Sequence, residues 1–128
     1  MTPDLWTLLA TVGLALLHIT AASMAAKRQT GLRWSLGPRD NPVPLTGIAG
    51  RLDRAQSNFY ESLPLFAILV LVAHVAGEAD RWTFIGAQTY FWMRLVYLPA
   101  YASGILWLRT IPWAVGMLAL VLIASRLA

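Results

Sequence analysis

A group of polar side chains opens one of the longest apolar stretches of the chain, in the run RAQSNFYESLPLF, residues 54–66. Arg54, Asn58 and Glu61 are spaced at i, i+4 and i+7, which places them on one face of a helix. Guanidinium, amide and carboxylate groups are costly in hydrocarbon, and ionisable groups within a membrane-spanning segment are functional by default. The pattern therefore predicts a site that holds a polar ligand at membrane depth.

A second polar stripe follows in the next apolar stretch. Tyr90, Arg94, Tyr97 and Tyr101 are spaced at i, i+4, i+7 and i+11, again on one helical face. At 1.5 Å per residue, Glu61 and Tyr97 both fall about 15 Å from the same membrane surface. We therefore expect the two stripes to meet. The structural alternative is a polar lock, in which Glu61 pairs with Arg94 or with the arginine that opens the first stripe.

The composition indicates the helices that must carry these stripes. Of the 128 residues, 58% are hydrophobic and only 12% are charged, whereas a soluble domain carries roughly 25% charged residues. Four apolar runs are long enough, or nearly so, to cross a bilayer. They are residues 5–26, 52–77, 82–108 and 110–125. We predict an all-α membrane protein that forms one domain over residues 1–128, a bundle of four transmembrane helices.

A cleaved signal peptide is the competing interpretation of the first run. It is disfavoured because residues 1–4 carry no lysine or arginine and the apolar run is too long.

Basic residues predict the orientation of the bundle. Five of them lie between the first and second spans: Lys27, Arg28, Arg33, Arg39 and Arg51. The positive-inside rule then places the 27–51 loop in the cytoplasm and both termini outside, an arrangement that suits a bacterial inner membrane. The net charge of +4 indicates contact with anionic membrane lipids. Nothing indicates nucleic acid as a partner, because the basic residues flank spans and no recognition motif accompanies them.

Several kinds of chemistry are excluded by residue types. The chain has no cysteine, so it has no disulfide, no thiolate metal site and no thiol nucleophile of its own. His18 and His74 lack partners at metal-ligand spacing, and we expect them to be hydrogen-bonded within the bundle. No glycine-rich phosphate loop is present. We therefore predict no metal site, and any sulfur chemistry must arrive with a ligand.

Two motifs carry a resemblance to a known family. The pattern R-A-x-x-N-x-x-E-x-x-P-x-F is met by Arg54, Ala55, Asn58, Glu61, Pro64 and Phe66. An arginine followed by two spaced tyrosines is met in RLVYLPAY by Arg94, Tyr97 and Tyr101. Both resemble the motifs of the membrane-associated proteins in eicosanoid and glutathione metabolism (MAPEG). This resemblance implies a homotrimer that holds glutathione between neighbouring subunits, open to the cytoplasm, with a lipophilic small molecule as second substrate.

The resemblance also implies roles for individual residues. Those expected to contact glutathione are Arg54, Gln56, Asn58, Glu61, Arg94, Tyr97, Tyr101 and, from the basic pair after the first span, Arg28. Arg109, placed by the sequence in the hairpin between the last two spans, is expected to act catalytically with Tyr101. It would stabilise the glutathione thiolate for attack on lipophilic electrophiles or lipid hydroperoxides.

The chain departs from the family pattern at two places. Leukotriene-synthesising members have a tyrosine directly after the glutamate of the first motif, where this chain has Ser62. The spacing between Tyr101 and Arg109 also differs slightly from that of family members. Catalysis is therefore less strongly indicated than binding.

Two alternatives to an enzyme stay open at this point. One is a non-catalytic lipid- or glutathione-binding membrane protein of the same fold. The other is a four-span exporter, which is disfavoured because no acidic residue lies between Asp4 and Lys27.

Overall fold

The computed structural model describes residues 1–128 and contains helices only. In chain order they are α1 (Pro3–Thr30), α2 (Leu32–Leu36), α3 (Gly47–Ala76), α4 (Arg81–Ala102) and α5 (Leu106–Leu127). The predicted all-α fold is confirmed. Helices α1, α3, α4 and α5 form the bundle, and the short α2 lies in the connection between α1 and α3.

Local sequence signals begin and end these helices. Thr2 caps α1, since its hydroxyl accepts a hydrogen bond from the backbone of Leu5 at 3.4 Å. Asp80 caps α4 in a capping box with Thr83. Gly77 ends α3 in the left-handed conformation, at φ 73°, which glycine adopts without steric cost.

The core of the bundle combines aromatic and aliphatic side chains with closely approaching helices. Phe59 and Phe66 of α3, Tyr90 of α4 and Ile123 of α5 are all fully buried. Helix α4 packs extensively on α5, and Gly86 of α4 makes this approach possible because a Cβ there would lie only 2.6 Å from the side chain of Ile123. No Cα atoms of α1 and α5 lie within 8 Å of each other. Helices α3 and α4 therefore form the centre of the bundle.

Three of the four long helices, α1, α3 and α5, are long and apolar enough to cross a membrane. Helix α4, with 22 residues, is about 33 Å long but carries more polar side chains. Large apolar side chains cover the outside of the bundle, including Leu16, Ile68 and Leu118, which are 57–67% exposed. An exposed apolar surface of this extent fits a protein surrounded by lipid.

The structure corrects three predicted boundaries. Helix α4 ends at Ala102 rather than at residue 108, because the chain turns at Gly104 with φ 76°. Arg109 therefore lies in the first turn of α5 and not in the hairpin. The α1–α3 connection spans only residues 31–46, since α1 continues through two basic residues that favour a helix C-terminus.

The bundle has two distinct ends. The end that carries both chain termini and the α3–α4 turn is called the termini end. The opposite end, which carries the 31–46 connection and the α4–α5 turn, is called the loop end.

Candidate functional site

The two polar stripes meet inside the bundle through a buried arginine. Arg94 of α4 is only 1% exposed, and it donates to Asn58 Oδ1 at 2.9 Å and to Ser62 Oγ at 2.8 Å, both on α3. Ser62 Oγ in turn lies 2.7 Å from the hydroxyl of Tyr90. Asn58 and Ser62 are four residues apart and so share a helical face. The contact therefore joins α3 and α4 at the level of the site.

Aromatic rings surround the Arg94 guanidinium, and no carboxylate pairs with it. Its central carbon lies 4.9 Å from the ring centroid of Tyr97 and 5.7 Å from that of Phe59. Glu61 is exposed and forms no ion pair, because the single salt bridge of the chain joins Arg126 and Asp80 at the termini end. The polar lock that the sequence offered as an alternative is therefore absent from the protomer.

An open cleft lies in front of this buried cluster. It has a volume of about 280 Å³, and α3, α4 and α5 each contribute to its walls. The lining residues are Asn58, Tyr97, Tyr101, Arg109, Thr110 and Trp113. Four of these six were predicted from sequence as site residues. The rings of Tyr97 and Tyr101 lie 5.5 Å apart, and the Arg109 guanidinium lies 4.9 Å from the Tyr101 ring.

Two further arginines of α3 reach towards α4 at the rim of the cleft. Arg54 Nε donates to the hydroxyl of Tyr101 at 3.3 Å, which places its guanidinium beside the cleft. Arg51 Nε donates to the carbonyl oxygen of Ala102 at 2.9 Å and so caps the C-terminus of α4. The sequence pattern placed Arg51 only in the basic loop. Its position one helical turn before Arg54 is the signal that could have placed it on the same face.

The remaining predicted site residues lie elsewhere in the protomer. Gln56 donates to the hydroxyl of Tyr60 at 3.1 Å and lines a different cleft, formed by α1, α3 and the 31–46 connection. Arg28 lines a third cleft, between α1 and α3. Glu61 is exposed and has no hydrogen-bond or ion-pair partner. A single protomer thus presents the predicted residues on separate faces.

The expectation that His18 is hydrogen-bonded was wrong. Its ring is 1% exposed and stacks on Phe59 at a centroid distance of 4.8 Å, and neither ring nitrogen has a hydrogen-bond partner. Thr110 and Trp113, which the sequence did not indicate as site residues, also line the cleft.

The chain was compared with known protein families and with curated proteins. A family model described as the MAPEG family matches residues 7–128. No curated protein matches the chain significantly. The matched range includes all five helices except the first residues of α1, and it contains both motifs of the polar cluster. The chain therefore belongs to the MAPEG family, and it is a helical integral membrane protein of the kind that acts in glutathione and eicosanoid metabolism.

Proposed function

We propose that the protein is a membrane glutathione transferase or peroxidase. It holds glutathione in the cleft between α3, α4 and α5 and activates the thiol for attack on lipophilic electrophiles or lipid hydroperoxides. The observation that carries this proposal is the convergence of Asn58, Tyr97, Tyr101 and Arg109 on one cleft at the loop end. The family match supports the ligand class.

The chemical groups of the cleft complement those of glutathione. The tripeptide carries two carboxylates, one ammonium group, two peptide bonds and a thiol. Arg54 and Arg109 offer guanidinium groups that bind carboxylates in a bidentate manner, and the two tyrosine hydroxyls and Asn58 can hydrogen-bond to peptide groups. Glu61 does not line this cleft in the single protomer, but its exposed carboxylate offers the acceptor that an ammonium group requires.

The site is completed by neighbouring subunits of a homotrimer. Glu61 lies near the middle of α3, yet its carboxylate is exposed on the single protomer. Facing lipid there would be costly, so a ligand or a second copy of the chain must cover it. Arg28 and Gln56 lie on other faces of the protomer. In the trimer, these two residues of one subunit extend the cleft of the next.

The reaction begins with ionisation of the bound thiol. A free thiol has a pKa of about 8.5, so only a small fraction is thiolate at neutral pH. Arg109 supplies a positive charge in the cleft and lowers that pKa by favouring the anion. The thiolate sulfur then bonds to the electrophilic carbon of a conjugation substrate, and the electron pair of the bond that breaks leaves with the displaced group or, with an epoxide or an activated alkene, moves to the adjoining oxygen or carbon, which is protonated.

With a lipid hydroperoxide, the same thiolate attacks the O–O bond. The terminal oxygen is transferred to sulfur, and the lipid alkoxide leaves and is protonated to the alcohol. A second glutathione converts the resulting sulfenic acid to the disulfide and releases water. Both reactions use a substrate that dissolves in the membrane.

The distribution of basic residues supports an orientation in which this cleft faces cellular glutathione. The loop end carries most of the basic residues, so the positive-inside rule assigns it to the cytoplasm of a bacterial inner membrane, with both termini outside. The cationic loop end also contacts anionic lipid headgroups.

Ultraviolet absorbance of the thiolate tests the proposal, because a thiol hardly absorbs where a thiolate does. The glutathione-loaded protein in detergent should show thiolate at neutral pH. Arg109→Ala should raise the pKa of the bound thiol, and Arg109→Lys should retain part of the effect as a point charge. Arg39→Ala is the matched control, since Arg39 lies in the 31–46 connection, where its guanidinium packs over Trp34.

The possible outcomes separate the proposal from its main alternative. Loss of the thiolate in Arg109→Ala, with glutathione binding retained, supports activation by Arg109. A wild-type protein that binds glutathione without any thiolate at neutral pH is a non-catalytic glutathione-binding member of the family. Absence of glutathione binding by the wild type contradicts the proposal altogether.

A further inference from the structure

The amide of Asn58 is held in one orientation by the residue behind it. Asn58 is half-buried and lines the cleft, and its Oδ1 accepts from Arg94 Nη1 at 2.9 Å. Its Nδ2 has no hydrogen-bond partner within the chain. The carbonyl side of the amide is therefore engaged, and the two N–H groups are free to donate to a ligand in the cleft.

The chemistry of arginine excludes the opposite orientation. A guanidinium group has five N–H donors and no acceptor, and it stays protonated in proteins. A flipped Asn58 amide would direct its N–H groups at this cation and lose the hydrogen bond. An arginine at this position thus determines that Asn58 offers donors to the cleft.

Arg94 is itself fixed from several sides. Its second terminal nitrogen donates to Ser62 Oγ at 2.8 Å, and Ser62 is hydrogen-bonded to Tyr90. The ring of Tyr97 lies 4.9 Å from its central carbon. Because Arg94 is 1% exposed and is not among the residues that line the cleft, it offers no open surface for direct contact with a ligand there. This geometry separates its role from that of the arginines at the cleft rim.

We propose that Arg94 is a positioning residue that makes Asn58 an obligate hydrogen-bond donor towards a carboxylate or peptide carbonyl oxygen of the bound tripeptide. The inference rests on the proposed function, because the ligand is taken to be glutathione. It goes beyond that function because it states that Asn58 donates, rather than accepts, the hydrogen bond to glutathione and that buried Arg94 is the residue that fixes this.

Substitutions of Asn58 test the direction of the contact. Asn58→Ala removes one hydrogen bond and should weaken glutathione binding by roughly two- to tenfold. Asn58→Asp has nearly the same shape and can still accept from Arg94, but it offers only an acceptor to the cleft. We therefore expect Asn58→Asp to bind glutathione at least about tenfold more weakly than Asn58→Ala, as measured by calorimetry on the detergent-solubilised protein.

Substitutions of Arg94 test whether this residue fixes the orientation of the Asn58 amide. Arg94→Gln offers both a donor and an acceptor and so no longer dictates how the neighbouring amide is turned. In that background the fold-loss in affinity caused by Asn58→Ala should fall clearly below the value measured with Arg94 intact, because the amide is no longer held as a donor, whereas a purely structural Arg94 would lower the overall affinity and leave that fold-loss unchanged. Arg94→Lys, which keeps a charged donor, should preserve the fold-loss caused by Asn58→Ala.

The outcomes distinguish this proposal from the proposed function. If the wild type binds glutathione and Asn58→Asp binds as tightly as Asn58→Ala or more tightly, Asn58 acts as an acceptor and the role of Arg94 is overturned, while the proposed function stands. A fold-loss from Asn58→Ala that is the same in the Arg94→Gln background as with Arg94 intact also overturns it. If Arg94→Gln does not fold, the comparison of the Asn58 variants with Arg94 intact, together with Arg94→Lys, still decides. If the wild type fails to bind glutathione, both proposals are overturned.

Discussion

The two ends of the bundle differ in whether their charged side chains have partners. At the termini end, Asp4 is 4% exposed and accepts from the hydroxyl of Thr83 at 2.9 Å. Asp80 accepts from two backbone N–H groups of α4 and pairs with Arg126 at 3.0 Å. By contrast, Arg109 in the first turn of α5 at the loop end and Glu61 near the middle of α3 have no oppositely charged partner within the protomer.

This difference separates the paired polar groups of the termini end, which stabilise the fold, from polar groups without a partner, which are free to bind a ligand. The termini end connects the start of α1, the start of α4 and the end of α5 through groups that satisfy each other. Such an arrangement stabilises the fold and leaves nothing to offer a ligand. The loop end instead presents hydrogen-bond donors around an open cleft, and Glu61 lies exposed near the middle of α3, so substitutions of these residues should change binding more than stability.

The largest effect expected concerns which end faces the cytoplasm. Because the chain has no cysteine, a single introduced thiol is a clean label. Asn41→Cys, in the 31–46 connection, should react with an impermeant thiol reagent only from the cytoplasmic side, and Ala79→Cys, in the α3–α4 turn, only from the outside. Both positions are exposed. The reverse labelling pattern would place the cleft away from cellular glutathione and contradict the proposal that the loop end binds this ligand.

The next largest effect is expected for Glu61, whose carboxylate has no partner in the protomer. Glu61→Gln should weaken glutathione binding by about 1.5–3 kcal/mol, the usual contribution of a charged hydrogen bond, without changing the unfolding midpoint. Glu78→Gln is the matched control, because this carboxylate is exposed at the termini end and should affect neither quantity. Unchanged affinity in the Glu61 variant, measured by calorimetry, would show that the ammonium group binds elsewhere.

The comparison also shows how much of the site could be predicted from sequence. Helical periodicity predicted that Asn58 and Arg94 lie on the polar faces of two helices that meet, because residues spaced by about 3.6 share one face of any long helix. It could not show that Ser62, noted only as a departure from the family pattern, completes the buried hydrogen bonds of Arg94. That contact depends on the rotation of α3 against α4, which tertiary packing decides.

The predictions that failed depend on tertiary structure in a similar way. Arg109 was assigned to a hairpin because residues 105–108 are apolar and extend the hydrophobic run, whereas Gly104 actually ends it with a positive φ. His18 was expected to find a hydrogen bond, yet it packs against Phe59. Arg28 and Gln56 line other clefts of the protomer, and their contact with glutathione stays a prediction.

A smaller effect, confined to stability, is expected where α4 and α5 approach most closely, towards the termini end. A Cβ at Gly86 would lie 2.6 Å from Ile123 Cγ1 and 3.1 Å from the carbonyl oxygen of Ala119. Gly86→Ala should therefore destabilise the protein by about 1–3 kcal/mol through overpacking. At Gly116 the nearest atom would be 3.8 Å away, so Gly116→Ala is a control that should not destabilise it. Equal unfolding midpoints for the two variants would show that the helices can separate at no cost.

The smallest effect is expected for the carboxylate that caps α4. Hydrogen bonding to the backbone N–H of Thr83, assisted by Arg126, lowers the pKa of Asp80 below its ordinary value. A carboxyl whose pKa is lower in the folded state stabilises the fold above its unfolded pKa of about 4, and this contribution is lost as the pH falls through the folded-state pKa. Asp80→Asn keeps a capping oxygen but cannot ionise, so it should be slightly less stable at neutral pH and lose less stability on acidification. Unfolding midpoints followed by circular dichroism from about pH 6 to about pH 3 measure this difference. Glu78→Gln is the control, because it removes a neighbouring exposed charge. If the unfolding midpoint of Asp80→Asn falls with pH in parallel with that of the wild type, the polar contacts of the termini end do not depend on the charge of Asp80.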